Sequence, residues 1–353
     1  MPFRDISGHR RTLALLTGSV ALRTLPPSLI FSGIAGIGKR RTAVALAQTL
    51  NCPSPRRDVR PQAAGQAPSA EVPLPIDACG DCPSCRRIAR LVHPDVIVIV
   101  PDEEKGNIRV NEIRQLNERL GYRPFEGRWR VVIIDEAETL ETSAQNALLK
   151  ALEEPPSSSI FVLVTARPDG LLDTVRSRCP VIRFGPLPIE EVALVLQQAH
   201  GLDAAEAQAL AAVSGGSVGA ALDTASASLA AARAAVERLL NRLAASPDVR
   251  VRLQAAGEIT GKGAKESGAS ARDALATHLR ALHAMLRDIG VVSALGTDRA
   301  VANIDRRPVL ARLAPSFDRE RLLRGFSAID QALTALDGNA NPKIVADWVA
   351  LRL

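Results

Sequence analysis

Residues 31–42 read Phe-Ser-Gly-Ile-Ala-Gly-Ile-Gly-Lys-Arg-Arg-Thr, a glycine loop set between an apolar run and a helix-forming stretch. Gly33, Gly38 and Lys39 satisfy the phosphate-loop pattern G-x-x-x-x-G-K-[ST], but Arg40 stands where the hydroxyl should be. Strand, glycine loop and helix in that order predict an α/β nucleotide scaffold. Gly33, Gly36 and Gly38 let the backbone curl so that its N–H groups surround phosphate oxygens. The helix N-terminus adds a favourable dipole, and Lys39 a point charge. The missing hydroxyl normally holds magnesium between the β- and γ-phosphates. Thr42 does not replace it, because two further helical residues rotate the side chain by about 200°. The loop is thus compatible with ATP or ADP, and poorly so with Mg2+ and efficient hydrolysis.

The rest of the first half extends the same architecture. Apolar runs at 28–32, 96–100, 131–134, 160–165 and 181–184 read as strands, with helices at 39–50, 110–120 and 143–152 between them. Short apolar strands separated by helices predict a parallel sheet covered on both faces. Leu13, Leu16 and Val20 share one face of a preceding helix, which argues against a signal peptide at Arg10-Arg11. Residues 53–78, rich in Pro, Ala and Gly, offer little to bury and read as a loop. After Pro186 and Pro188 the strand-like runs stop. Short helical stretches fill 189–222, and an Ala/Leu-rich helical region runs from about 226 to the end, broken by a polar segment at 261–268.

Composition narrows the function classes. Aromatic residues make up 3%, too few for a base-stacking platform of the single-strand-binding type. A formal charge of +6 permits DNA contact without requiring it. No apolar run reaches the ~18 residues of a membrane helix. The five cysteines are an odd set with a tight cluster, which suits metal binding in a reducing cytoplasm better than disulfides.

Three further motifs carry chemistry. Val131-Val132-Ile133-Ile134-Asp135-Glu136-Ala137-Glu138 delivers carboxylates to a strand's C-terminal end, where Asp135 would hold magnesium and Glu136 would orient or deprotonate an attacking water. Cys79-x2-Cys82-x2-Cys85, with Cys52 closing the first helix of the sheet domain, supplies four thiols. Such a set fits a closed, structural zinc site, with an iron–sulfur cluster as the alternative. His93 and Cys179 read as non-ligands. In Ser177-Arg178-Cys179 the arginine is of the type that neutralises charge on a transferred phosphoryl group.

Taken with Asn146-Ala147-Leu148-Leu149-Lys150-Ala151-Leu152-Glu153-Glu154-Pro155-Pro156, this order of motifs resembles the bacterial AAA+ clamp loader proteins of DNA polymerase III, and among them the delta-prime group. The resemblance covers about 1–222. Beyond that it rests on helical composition and the ending Asn339-Ala340-Asn341-Pro342-Lys343. It implies an AAA+ RecA-like domain at 1–185 with a zinc module at about 52–85, a small helical lid at 186–224 and an all-α collar at 225–353. It also implies zinc on Cys52, Cys79, Cys82 and Cys85, a sensor-1 role for Thr165, and Arg178 as a finger reaching a neighbour's ATP site. The lid segment Gly216-Ser217-Val218-Gly219-Ala220-Ala221-Leu222 lacks the sensor-2 arginine of active motors, and the insert at 53–78 is longer than the family pattern. The implied function is a cytoplasmic, weakly or non-hydrolysing component of the polymerase holoenzyme. It would sit in a hetero-pentameric ring with gamma/tau motor and delta subunits, and would meet the sliding clamp and primed DNA through that assembly. Two rivals are an active motor ATPase of the same family, and a zinc-containing DNA-binding adaptor using Arg86, Arg87 and Arg90.

Overall fold

A computed structural model describes residues 1–59, 74–102, 105–223, 226–246, 248–260, 269–295, 301, 303 and 306–353. Contacts group the chain into two compact units, Met1–Leu187 and Pro188–Leu353.

In the first unit, helix α1 (Arg10–Ala21) leads to β1 (Ser28–Ser32), the glycine loop and α2 (Lys39–Asn51). The hairpin β2 (Arg56–Val59) and β3 (Leu74–Asp77) follows, then α3 (Pro83–Ala89), β4 (Val96–Ile99) and α4 (Val110–Leu120). The unit continues with β5 (Arg130–Ile134), α5 (Thr142–Glu153), β6 (Ser159–Thr165), the short α6 (Asp173–Arg176) and β7 (Val181–Arg183). Five strands form one parallel sheet in the order β4-β5-β6-β1-β7. The expected strands and helices are all present, with ends shifted by a residue at most.

The two-sided burial of the sheet explains why its strands are apolar throughout. Val132, Ile134, Phe161 and Leu163, alternate residues of β5 and β6, share a core cluster with Ile113, Leu116 and Leu120 of α4 and Leu148 and Leu152 of α5. The intervening Val131, Ile133 and Val162 are equally buried. Their cover comes from α2, whose Ala43, Ala45, Leu46 and Ala47 are fully buried and which packs on β5 and β6. Each fully buried Val, Leu, Ile or Phe side chain here contributes about 1.5–3 kcal/mol on burial, and each alanine methyl less. Leu13 and Leu16 of α1 are buried as their spacing predicts, and Val20, the third residue of that face, is half-buried.

One expectation is corrected. The stretch 53–78 is not simply loop, since its two ends pair as the antiparallel β2–β3 hairpin. Leu74 is buried, and the Asp77 carboxylate accepts N–H bonds from Phe3 (2.9 Å), Arg4 (3.1 Å) and Ala78 (2.8 Å) and pairs with the Arg4 guanidinium at 3.1 Å. Composition concealed these two anchors.

The entry to β4 is held by a second buried carboxylate. Asp95 accepts N–H bonds from Phe125 (2.6 Å), Glu126 (2.9 Å) and Gly127 (2.7 Å) and lies 3.6 Å from the Arg130 guanidinium. Burial alone would raise its pKa, but these N–H groups and Arg130 together hold it below the usual carboxylate range. A depressed folded-state pKa stabilises the fold above about pH 4 and ceases to do so as pH falls through it. Asp95→Asn should therefore lower the urea midpoint near neutrality, and the gap from wild type should close below about pH 4. Urea titrations at the two pH values check this; a gap that persists in acid would count against it.

The second unit is helical throughout its described residues: α7 (Ile189–His200), α8 (Ala204–Val213), α9 (Val218–Asp223), α10 (Ser226–Ala245), α11 (Val249–Thr260), α12 (Ala269–Leu295), α13 (Arg307–Leu313), α14 (Arg319–Asp337) and α15 (Pro342–Arg352). Its helix starts are chemically marked. Asp203 accepts from the N–H groups of Ala205 and Glu206, and Asn341 from those of Lys343 and Ile344, with Pro342 next in the chain. Leu239, Leu240, Leu279, Leu282 and Leu286 form part of its core, where α12 packs against α10 and α14. A buried polar knot sits among them: Asn303 receives the Arg233 guanidinium at 3.0 Å and donates to Asp288 at 2.8 and 2.7 Å. Segments 189–223 and 226–353 belong to this one unit, α8 packing on α10 and α12. The polar break at 261–268 lies outside the described residues. No helix among the described residues is long and apolar enough to cross a membrane.

Candidate functional site

Strand order places the motifs together. β6 lies between β1 and β5, and all three run parallel with Ser32 beside Thr165 and Ile134 beside Leu163. The glycine loop after β1, the acidic turn after β5 and the end of β6 therefore share one edge of the sheet, the edge where open α/β sheets bind ligands. There they surround a cavity of about 440 Å³, lined by Gly36, Gly38, Lys39 and Arg40 from the loop side and by Asp135, Glu136, Glu138 and Thr165 opposite.

Each loop residue has a local reason. Gly38 precedes α2 at φ 102°, in the left-handed region where a side chain is strained. At Gly33 a Cβ would sit 2.4 Å from the Phe184 carbonyl oxygen, because β7 passes directly against the loop. Lys39 is folded over the curl, its ammonium donating to the Gly33 (2.6 Å) and Ile34 (2.7 Å) carbonyls. Burial pushes its pKa down, while Glu138, Asp135 and Glu136 push the other way. The Thr42 hydroxyl is buried and donates to the Gly38 carbonyl at 3.0 Å, away from the cavity.

The acidic side is equally defined. Asp135 accepts the Glu136 N–H at 3.1 Å through one oxygen and faces the Arg40 guanidinium at 3.3 Å through the other. Glu136 is exposed, in the left-handed conformation (φ 48°, ψ 48°). The Thr165 hydroxyl accepts from the Arg167 N–H at 3.0 Å, within its own turn. Two features escaped sequence reasoning. One is the Arg40–Asp135 pair, which links residues 95 apart in sequence. The other is Glu138, whose Oε1 accepts the Ala166 N–H at 3.0 Å and so ties the acidic turn to the end of β6. Its position three residues after Asp135 was the available signal.

Arg178 is not part of this cavity. It follows α6, donates to the Thr174 carbonyl at 2.8 Å and pairs with Glu153 at 2.5 Å, about a third of its side chain remaining exposed.

The four thiols form a second candidate site. Cys52, at the end of α2, meets Cys79, Cys82 and Cys85, all four sulfurs lying within 4.8 Å of one another. Tetrahedral coordination with a metal–sulfur bond of about 2.3 Å places sulfurs about 3.8 Å apart. Cys79 and Cys85 are 3.9 Å apart, so the set could hold one metal ion. Backbone N–H groups already point at sulfur, from Cys79 to Cys52 (3.3 Å), from Cys82 to Cys79 (3.4 Å) and from Cys85 to Cys82 (3.4 Å). Against an opposing effect of burial, the N–H groups of Cys82 and Asp81 bring the Cys79 thiol down to about 7, whereas burial pushes Cys52 and Cys85 up. The end of α2 is clamped to this knuckle and to the loop before β5. Gln48 donates to the Cys85 carbonyl at 2.7 Å, Ser84 to the Asn51 carbonyl at 3.2 Å, and the Asn51 amide exchanges two 2.9 Å bonds with Trp129.

His93 stands outside the thiol set, buried between Ser84 (3.2 Å), the Asp95 N–H (3.2 Å) and Glu126 (3.4 Å). Cys179 belongs to the core beneath α4 and α5. Of the three neighbouring arginines, Arg87 is engaged with Glu126 at 2.7 Å.

Comparison with known proteins places the chain. A family model described as "DNA polymerase III, delta subunit" matches residues 8–188. The chain is 38% identical over 187 residues to DNA polymerase III subunit delta' of Pseudomonas aeruginosa, covering 52% of this chain and 51% of that protein. It is 32% identical over 190 residues to DNA polymerase III subunit tau of Escherichia coli, covering 54% of this chain and 26% of that protein. The match thus spans about half or less of each relative. A Thermotoga maritima DNA polymerase III gamma subunit-related protein aligns over 97% of this chain and 98% of its own, at 18% identity and a TM-score of 0.41. The half of the chain that carries the glycine loop, the thiols and the acidic turn is the half the family model matches, and the chain belongs to the DNA polymerase III delta-subunit family of AAA+ clamp loader proteins.

Proposed function

We propose that the chain is a delta-prime-type subunit of the replicative clamp loader, turning over little or no ATP itself and presenting Arg178 to the ATP site of a neighbouring gamma/tau subunit. The observation that carries this reading is Arg40. It replaces the magnesium-holding hydroxyl, and its guanidinium occupies the carboxylate that would otherwise face the metal. The carboxylates, loop and lysine of a nucleotide site are all present, yet the cation position is filled by the protein. A site so built suits a ring member that completes another subunit's chemistry. The 38% identity to a delta' subunit supports the same reading.

Zinc is the metal that best fits four thiols this close, since an iron–sulfur cluster shares its thiolates among several irons. With no open coordination position the ion would brace the module, not react. In this reading 186–224 serves as a lid and 225–353 as a collar that assembles with gamma/tau and delta. The sliding clamp and primed DNA are met through the ring, in the cytoplasm.

The test uses the purified chain with and without partners. Alone, with primed DNA and magnesium, it should show no ATP turnover above the blank. Added to gamma/tau and delta, it should form a single larger species by gel filtration and raise DNA-stimulated turnover. Turnover by the isolated chain would favour the motor reading, and failure to co-assemble would remove the ring.

A further inference from the structure

We infer that the cavity at the sheet edge takes a nucleoside diphosphate without a divalent cation, Arg40 standing in the cation's place. The inference rests on the phosphate-loop reading of this cavity, and is independent of any role of Arg178.

Magnesium does not fit the residues present. It needs near-octahedral oxygen ligands at about 2.0–2.1 Å. The hydroxyl that would supply one is replaced by Arg40, and the Asp135 oxygen on that side lies 3.3 Å from the Arg40 guanidinium. A divalent ion there would meet the permanent positive charge of the guanidinium and would have to compete with it for Asp135. Phosphate, by contrast, does fit. The loop is curled by glycines in positive-φ conformations, α2 points its N-terminus into the space, and the Lys39 ammonium is already at the rim.

Arg40 does not plug the cavity. It lines an open space of about 440 Å³, and its side chain is 44% exposed while paired. Asp135 is only 16% exposed, but with the Arg40 end this open the pair is held by about 1 kcal/mol, so the guanidinium is free to share itself. Its five donors lie in one plane, enough to keep Asp135 and engage a phosphate oxygen together. Charge sets the preference for a diphosphate. Magnesium would neutralise two charges across the β- and γ-oxygens, whereas a guanidinium brings one. Asp135, Glu136 and Glu138 already face the same space, so each further unneutralised phosphate charge is disfavoured.

Isothermal titration of the full chain with ADP, in magnesium-free buffer and again with magnesium, tests this. No chelator is used, so that any metal on the four thiols stays in place. Wild type should bind ADP at least as tightly without magnesium as with it. Arg40→Thr, a change at an exposed side chain, should lose about tenfold or more in affinity in magnesium-free buffer, as for a charge-assisted bond, and regain it when magnesium is added. Arg40→Lys, which keeps the charge, should retain most of the magnesium-free affinity. The inference is overturned if wild type needs magnesium, if it binds no ADP in either buffer, or if Arg40→Thr binds as tightly as wild type without magnesium. The last two results leave the ring reading untouched, whereas ATP turnover by the isolated chain would defeat that reading without bearing on ADP affinity.

Discussion

If Arg178 acts as the proposed finger, rings assembled with the Arg178→Ala chain should hydrolyse ATP about a thousandfold more slowly at the neighbouring site it would serve, the usual cost of a lost arginine finger. Ring assembly itself should be unchanged. Arg178 stands two residues beyond α6, about a third exposed, outside the cavity of its own subunit. Its partner is Glu153, half-exposed, the last residue of α5 and the first of the Glu-Glu-Pro-Pro run. Such a pair holds the side chain in place at a cost of about 1 kcal/mol or less when it is exchanged for phosphate. Glu153→Gln should therefore leave turnover close to wild type, while Arg178→Lys should not restore it, since an ammonium cannot reproduce the planar fork. On the same reading, sites served by other subunits should continue to work. The readout is consequently single-turnover hydrolysis, in which one phase should vanish, with gel filtration as the assembly control. A trace identical to wild type would remove the finger assignment.

Replacing one buried thiol should be the most damaging change to the fold of the first unit. Cys85 is fully buried and Cys52 nearly so. A four-thiolate zinc site contributes on the order of 10 kcal/mol to the module it closes. With zinc on the four thiols, Cys85→Ser would forfeit several kcal/mol of that and leave three thiols gathered around an incomplete site. At about 2–4 °C per kcal/mol for a unit of this size, the melting temperature should fall by about 10 °C or more. Metal analysis should find one zinc per wild-type chain and little in the variant. Cys179→Ser is the control: its thiol is equally buried, and burial holds its pKa up at about 11, but it lies in the core. It should cost about 1–2 kcal/mol and leave zinc content unchanged. Equal zinc in Cys85→Ser and wild type would show that these thiols are not the ligands.

Much of the first unit was readable in the sequence because its elements are chemically extreme. A strand covered on both faces must be apolar at every position, and Val131 to Ile134 can hardly be anything else. The three-residue spacing of the cysteines announced the knuckle that the fold closes with Cys52. What escaped depended on partners far along the chain. Leu74 and Asp77 look like loop residues until the N-terminal segment supplies the apolar cover and the N–H donors that make them a strand. Arg40 was legible as the loss of a hydroxyl. Its gain, the contact with Asp135, required the β1–β6–β5 order that brings two sheet-edge turns together. Asn303 gave no periodic signal, yet it bridges Arg233 and Asp288 in the core of the second unit.

Helix α2 begins at the glycine loop and ends at Cys52, a strut of thirteen residues, about 20 Å long. Gln48, Asn51 and Cys52 bolt its far end to the cysteine knuckle and to Trp129, and its flanks are buried in the sheet. A strut anchored this way cannot slide along its axis when an anion settles on its first turn. The compliance has to come from the six residues of the loop, from Gly33 to Gly38, which carry the glycines and hang between two rigid supports. The loop is thus the spring of the assembly and the helix its fixed post, so the cysteine knuckle bears load for a site it never touches.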